Sequence, residues 1–127
     1  MSKKAKLNHM RNFKELKIWQ KEFDIAVTSY KLVDTFPKSE RYALSQQITK
    51  AAVSIPSNIA EGSSRTSEKD YSRFVEISLG SSFELETQFL IAKALNFGDQ
   101  GLLSQGLQML DEEEKMIMSF MNKLNKS

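Results

Sequence analysis

The spacing of apolar side chains constrains this chain more than any other feature of its sequence. Apolar residues recur at steps of three and four through four long stretches, and only two prolines and five glycines interrupt the 127 residues. Such steps place side chains on one face of a helix, and no stretch shows the alternation of a half-buried strand. The pattern predicts an all-α fold, and short connections predict an antiparallel up-down-up-down four-helix bundle. We assign residues 1–11 to a basic N-terminal tail and residues 12–127 to the bundle.

Composition excludes several kinds of chemistry. The chain has no cysteine, which excludes disulfides, thiolate metal sites and cysteine nucleophiles. Its one histidine, His9, falls in the tail, so a di-iron or haem site inside the bundle lacks its ligand. We therefore predict no enzyme, no catalytic residue, no cofactor and no metal. Without an apolar spanning run, an export signal or cysteine, the chain is expected to be cytoplasmic and to have no membrane partner.

The first helix carries two apolar stripes. We predict that the wider stripe faces the core; it contains Leu16, Trp19, Phe23, Ala26, Val27, Tyr30 and Val33. Ile18, Ile25 and Leu32 are spaced by seven and form a second stripe on the opposite side. Because a lone bundle needs only one apolar face per helix, we predict that this second stripe forms an interface between copies of the chain.

Capping patterns predict where the helices begin. Asn12, Ser39 and Ser67 are the expected N-caps of the first three helices, the second running to about residue 62 and the third over about residues 68–95. The fourth helix is expected to start after the segment 99–101. Within it, we predict that the acidic run of residues 111–114 is a solvated turn.

A proline lies inside the second helix. Pro56 has no amide hydrogen and its ring clashes with the preceding turn, which predicts a kink. Ser57 and Asn58 follow it directly, and we expect them to hydrogen-bond backbone groups that the proline frees. We interpret Pro56, Ser57 and Asn58 as structural rather than catalytic.

One long motif and several short ones carry a family resemblance. The long motif runs from Gln47 to Gly62 and reads Gln-Ile-Thr-Lys-Ala-Ala-Val-Ser-Ile-Pro-Ser-Asn-Ile-Ala-Glu-Gly. The shorter ones are Phe13-x-x-Leu16-x-x-Trp19, Phe36-Pro37-x-x-Glu40, Gly80-Ser81 and Glu84-Leu85-Glu86-Thr87-Gln88. With these motifs the chain resembles, over about residues 12–125, the four-helix-bundle proteins encoded in intervening sequences of bacterial 23S rRNA genes.

The resemblance implies partners as well as a fold. Copies in that family associate as five-fold rings, so a homo-oligomer is expected. One branch serves diversity-generating retroelements, where a basic surface binds nucleic acid and a reverse transcriptase. The family commonly has two adjacent basic residues where this chain has Thr49-Lys50, which leaves one positive charge fewer per subunit.

Two functions stay open from the sequence alone. In the first, an oligomer binds RNA or DNA through its phosphates, without regard to sequence. The candidate contacts are Lys50, Arg65, Lys69 and Arg73. In the second, the chain is a protein–protein adaptor or scaffold with no nucleic-acid role, and these four residues are ordinary surface charges.

Overall fold

The computed structural model describes residues 12–126, which form four α-helices and two short 3-10 helices and contain no strand. The α-helices are α1 (Lys17–Val33), α2 (Leu44–Gly62), α3 (Glu68–Ala94) and α4 (Gln100–Asn125), and the 3-10 helices are Phe13–Glu15 and Lys38–Glu40. The predicted all-α, four-helix fold is therefore confirmed.

Neighbouring helices pack side by side in opposite directions. For three of the helix pairs, two contacts show the direction. As the residue number of the contact rises on one helix, it falls on the other, as expected for antiparallel helices. These contacts are Ser54–Ser81 and Gly62–Phe74 between α2 and α3, Ser72–Asn125 and Ser82–Glu114 between α3 and α4, and Lys21–Glu112 and Thr35–Asp99 at α1 and α4. The helices thus follow one another around the bundle, and the α1–α2 side lies opposite the α3–α4 side.

Side-chain caps fix the starts of α3 and α4. Ser67 Oγ accepts a hydrogen bond from the Asp70 amide at 3.1 Å, as the capping pattern predicts. Asp99 Oδ1 accepts one from the Leu102 amide at 2.9 Å, so α4 begins at Gln100.

The first two helices begin later than predicted. Asn12 makes no side-chain cap, and a 3-10 helix precedes α1. Ser39 lies in the 3-10 helix that follows Pro37, and Ala43 then adopts a non-helical backbone (φ −118°, ψ −106°) before α2 starts at Leu44. The predicted caps at Asn12 and Ser39 are wrong because a 3-10 turn and a backbone break separate them from the α-helices.

The centre of the buried side of α1 differs from the sequence prediction. Four residues of the stripe expected in the core are partly buried and pack against it: Leu16, Trp19, Ala26 and Val33. Ile18, Ile25 and Leu32 are buried in the core of the single chain. Phe23 and Tyr30, expected in the core, are 50% and 54% exposed. The prediction that places Ile18, Ile25 and Leu32 at an interface between copies is therefore wrong. The error has a physical cause. The inward stripe also contains Glu22 and Ser29, and these two polar residues make it less apolar in sequence than the outward stripe.

The motif around Pro56 joins α2 to α3. The α-helix continues through Pro56, which leaves the carbonyl four residues earlier without its usual donor. Asn58 Nδ2 donates instead to the Ser54 carbonyl at 2.8 Å and to Ser54 Oγ at 2.9 Å. Ser54 Oγ lies 2.8 Å from Ser81 Oγ on α3, while Ser57 is exposed. The expected bonds to the freed carbonyl are replaced by a hydrogen-bonded link between α2 and α3, and the interpretation of the motif as structural stays a prediction.

Two glycines allow helices to approach closely. A Cβ atom at Gly62 would lie 2.7 Å from Phe74 Cβ, and one at Gly106 would lie 2.6 Å from Phe89 Cε2. Real Cβ atoms essentially never come this close, so each glycine makes room for a ring on α3.

Candidate functional site

Two carboxyl groups lie inside the bundle with no solvent exposure. Glu22 on α1 and Glu113 on α4 are both 0% exposed and face each other closely enough to hydrogen bond. The prediction that the acidic run 111–114 is a solvated turn is therefore wrong at Glu113. Buried carboxyl groups are rare in proteins unless a partner compensates them.

The partners of this carboxyl pair are few. Ser78 Oγ lies 3.3 Å from Glu22 Oε2 and donates to the Ile55 carbonyl at 2.9 Å. Glu22 Oε1 and both oxygens of Glu113 have no other hydrogen-bond donor among the described residues. Because an ionised carboxylate can only accept, a hydrogen bond within the pair requires a proton on one of the two groups.

Burial is the largest influence on how the pair ionises. Burial raises the pKa of Glu22, and the hydrogen bond to Glu113 and its negative charge raise it further, while Ser78 lowers it. Burial also raises the pKa of Glu113, whereas its hydrogen bond to Glu22 and the charge of Lys21 lower it. Both directions favour retention of a proton at the contact between the two carboxyl groups.

A second acidic contact lies nearer the surface. Burial raises the pKa of Glu114 to about 8, and the neighbouring Glu86 raises it as well, while the hydroxyl of Ser82 lowers it. Ser82 Oγ donates to Glu114 Oε2 at 3.1 Å. Over residues 12–126, no group of three or more His, Cys, Asp or Glu side chains is arranged to hold a metal ion.

The predicted basic residues do not form one patch. Arg65, Lys69 and Arg73 lie near the α2–α3 turn, whereas Lys50 lies on α2 about 18 Å from Gly62, given a rise of about 1.5 Å per residue. The Arg65 guanidinium lies 3.2 Å from Glu61 Oε1 and 4.6 Å from the centroid of the Phe74 ring.

Lys50, Lys69 and Arg73 are the freest of the four candidates, because all three are exposed and none forms an ion pair within residues 12–126. Of these three, Lys69 and Arg73 lie one turn apart on α3. Glu68 and Asp70 lie beside them in the first turn of α3 and offset their charge.

Apolar side chains are exposed on opposite sides of the bundle. We name the α1–α2 face after Phe23, Tyr30 and Val53, which are 42–54% exposed. Val27 is 40% exposed on the outside of α1, toward α4. We name the α3–α4 face after Phe83, Leu90 and Met118, which are 45–48% exposed. A further exposed group on the other flank of α3 contains Ile77, Ile91 and Leu95.

An open groove of about 930 Å³ extends the α1–α2 face toward the loop between the two helices. Lys38 and Arg41 line it together with Tyr30 and Tyr42. Tyr42 is 81% exposed, and the Arg41 guanidinium lies 5.6 Å from the centroid of its ring. The α1–α2 face therefore has a basic, aromatic end.

The sequence matches the 23S rRNA-intervening sequence protein family over residues 14–119. This match covers α1, α2, α3 and most of α4. The chain belongs to that family. No curated protein matches it.

One solved structure shows the same fold. A protein of unknown function from the S23 ribosomal protein family of Bacteroides thetaiotaomicron superimposes with a TM-score of 0.73 at 20% identity. The match covers 82% of this chain and 97% of that one. At 20% identity, this similarity supports the fold of the chain and nothing about its function. No helix within residues 12–126 is both long and apolar enough to cross a membrane.

Sequence reasoning missed the carboxyl pair of this family member, although a signal was present. Glu22 lies between Ile18 and Ile25 at steps of four and three, and Glu113 lies between Leu110 and Ile117 at steps of three and four. Each acid therefore occupies an inward heptad position. This spacing is the signal in the sequence, but on α1 the outer stripe repeats in the same way, so packing is needed to place Glu22 inside.

Proposed function

We propose that this intervening-sequence protein is a non-enzymatic scaffold that assembles into a homo-oligomer through its α1–α2 face. The observation that carries the proposal is the exposure of Phe23 and Tyr30 on the outside of α1. Fully burying a side chain of this kind contributes roughly 1.5–3 kcal/mol, so covering the face favours association. Aromatic side chains are also the commonest anchors of protein interfaces.

The opposite side of the bundle offers a complementary surface. Lys38 and Arg41 line the groove at the end of the α1–α2 face, whereas Glu86 lies beside the α3–α4 face. Head-to-tail contacts between two different faces build a closed ring when the rotation closes. The five-fold ring implied by the family resemblance would use both faces of every copy.

Mutation of one face tests the assembly. The wild-type protein should scatter light with a mass several times the 14.5 kDa of one chain. Phe23→Asp should return the mass of one chain while keeping its helicity, and Ile77→Asp, on the other flank of α3, should leave the assembly intact. A wild-type protein that stays monomeric at micromolar concentration would refute the proposal.

Mixing two variants tests the head-to-tail arrangement. Phe23→Asp leaves the α3–α4 face intact, and Phe83→Asp leaves the α1–α2 face intact. Each variant alone should be monomeric, and an equal mixture should form a 1:1 complex of two chains. Monomeric variants that fail to combine would show that the two faces are not partners.

Nucleic-acid binding is a second candidate, favoured by the unpaired Lys69 and Arg73. One subunit offers few free charges, and repetition around a ring would raise the overall affinity by about 10²–10⁴. Binding to a random duplex should weaken with salt by a slope of about 0.9 per neutralised phosphate. Reversing Lys69 and Arg73 to Glu should abolish it, with Lys93→Glu as the matched control. Binding that survives the double reversal would show that Lys69 and Arg73 are not the contacts, and no binding by the wild type at about 50 mM salt would remove this candidate.

A further inference from the structure

The carboxyl pair is the one place where described acidic side chains are wholly shut off from water. Glu22 and Glu113 project from α1 and α4, which are neighbours in the bundle. Three of their four oxygens have no donor among residues 12–126, and the fourth has the hydroxyl of Ser78 at 3.3 Å. Two ionised carboxylates in this arrangement would repel each other and lack hydrogen-bond donors.

No buried cation compensates the pair. From α1, the nearest base is Lys21, whose ammonium group forms an ion pair with Glu112 and is partly exposed. From α4, Glu112 and Glu114 flank Glu113 in the sequence, and neither supplies a positive charge.

The other two helices also supply no charge to neutralise the pair. From α3, Ser78 contributes a hydroxyl, and Glu86 faces Glu114 rather than the pair. The large side chains that α2 turns inward are apolar, and its contribution near the pair is the Ile55 carbonyl, which already accepts from Ser78. Because none of the four helices supplies a buried positive side chain to the pair, a bound proton is the remaining way to reduce its negative charge.

We propose that Glu22 and Glu113 share one proton across the contact between α1 and α4, and that they form a pH-sensitive switch that loosens this contact when the proton is lost. With the proton present, a hydrogen bond between an acid and a carboxylate joins Glu22 to Glu113 and holds α1 against α4. With the proton absent, two buried negative charges face each other and α1 separates from α4. This inference does not depend on the assembly proposed above.

The sign of the pH effect follows from the raised pKa of both groups in the folded chain. In the unfolded chain both carboxyl groups ionise near their ordinary pKa, so the folded chain binds more protons above that pH. The stabilising effect of the pair is complete below the ordinary carboxyl pKa and is lost as the pH rises through the raised one. The folding equilibrium constant should then fall by up to about tenfold per pH unit.

Denaturation across a pH series tests the switch. Wild-type protein, Glu22→Gln and the exposed control Glu84→Gln are unfolded at one fixed protein concentration between about pH 5 and about pH 9. The amide of Glu22→Gln supplies a permanent donor to Glu113, so the pH dependence should flatten, whereas Glu84→Gln should follow the wild type. A Glu22→Gln profile as steep as that of the wild type would overturn the proposal.

Two spectroscopic measurements separate the switch from a general change in stability. Trp19, the one tryptophan of the chain, lies on α1, so its fluorescence should shift with rising pH in the wild type and not in Glu22→Gln. The infrared band of a protonated carboxylic acid should persist at neutral pH and disappear in Glu22→Gln. If Glu22→Gln does not fold, Glu113→Gln serves the same comparison. Absence of the band from the folded wild type at neutral pH would overturn the shared proton.

Discussion

Glu22 and Phe23 are neighbours in the sequence and lie in opposite surroundings. The carboxyl group of Glu22 is buried between α1 and α4, whereas half of the Phe23 side chain is exposed on the α1–α2 face. Each arrangement costs free energy for a lone side chain. The carboxyl group is removed from water, and the apolar ring stays exposed to it. We propose that each cost is offset in a different way. A shared proton removes the charge of one acid in the buried pair, and a second copy of the chain covers the exposed ring.

This contrast teaches how far hydrophobicity can orient a helix. On α1, apolar residues occupy both the inner and the outer side, so polarity alone does not distinguish them. Spacing does not distinguish them either, because both sides repeat at alternating steps of three and four. The inner side does so through Ile18, Glu22, Ile25, Ser29 and Leu32, and the outer side through Leu16, Trp19, Phe23, Ala26, Tyr30 and Val33. Only packing against the other helices decides which repeat faces the core.

The largest expected effect is the difference in folding between a charge placed on the inner side of α1 and one placed on its outer side. Ile25 is fully buried, so Ile25→Glu should unfold the chain at neutral pH, because it adds an uncompensated charge to the core. Val27→Glu, on the exposed side, should keep the helical circular dichroism of the wild type. A folded, helical Ile25→Glu variant would reverse the assignment of the two sides.

An intermediate effect is expected for the polar contact between α2 and α3. Asn58→Ala removes the side-chain donor to Ser54 and should lower the free energy of unfolding by about 1–3 kcal/mol. Ser57→Ala, one residue earlier and exposed, should change it by less than about 0.5 kcal/mol. Urea denaturation of the two variants gives the comparison, and equal midpoints would show that the contact with Ser54 contributes nothing.

The smallest effect concerns the acidic contact nearest the surface. Glu86 raises the pKa of Glu114 in addition to burial, so Glu86→Gln should lower that pKa from about 8 toward the ordinary range. Because the folded-state pKa is raised, ionised Glu114 disfavours the fold as the pH rises toward 8, and Glu86→Gln should reduce this loss. An NMR titration of the Glu114 carboxyl measures the shift, with the exposed Glu76→Gln as control. An unchanged pKa would mean that burial acts alone.

The sequence predicted most of the fold, and its successes have a local cause. The start of α3 could be read because Ser67 accepts a hydrogen bond from the amide three residues on. The sequence places the start of α4 after residues 99–101, whereas Asp99 is its cap and Gln100 its first residue. The start of α2 could not be read, because Ser39 and Glu40 close a 3-10 turn instead. A capping residue does not specify which kind of helix follows it.

The candidate sites were less accessible to sequence reasoning. An acidic residue is normally solvated, and only the contact between α1 and α4 shows that Glu22 and Glu113 meet. Likewise, the basic residues share a charge but not a location, because the antiparallel pairing of α2 and α3 carries Lys50 away from Arg73. These facts depend on tertiary register, which one sequence does not contain.

The fit of Phe89 against Gly106 has a consequence for how this chain can change. A methyl group at Gly106 would lie 2.6 Å from the Phe89 ring, so Gly106→Ala alone forces that ring to move. A smaller side chain at residue 89 would vacate the same space and leave a cavity instead. Each substitution should therefore suppress the defect of the other, and the two positions are expected to evolve as a pair, although 17 residues of chain separate them.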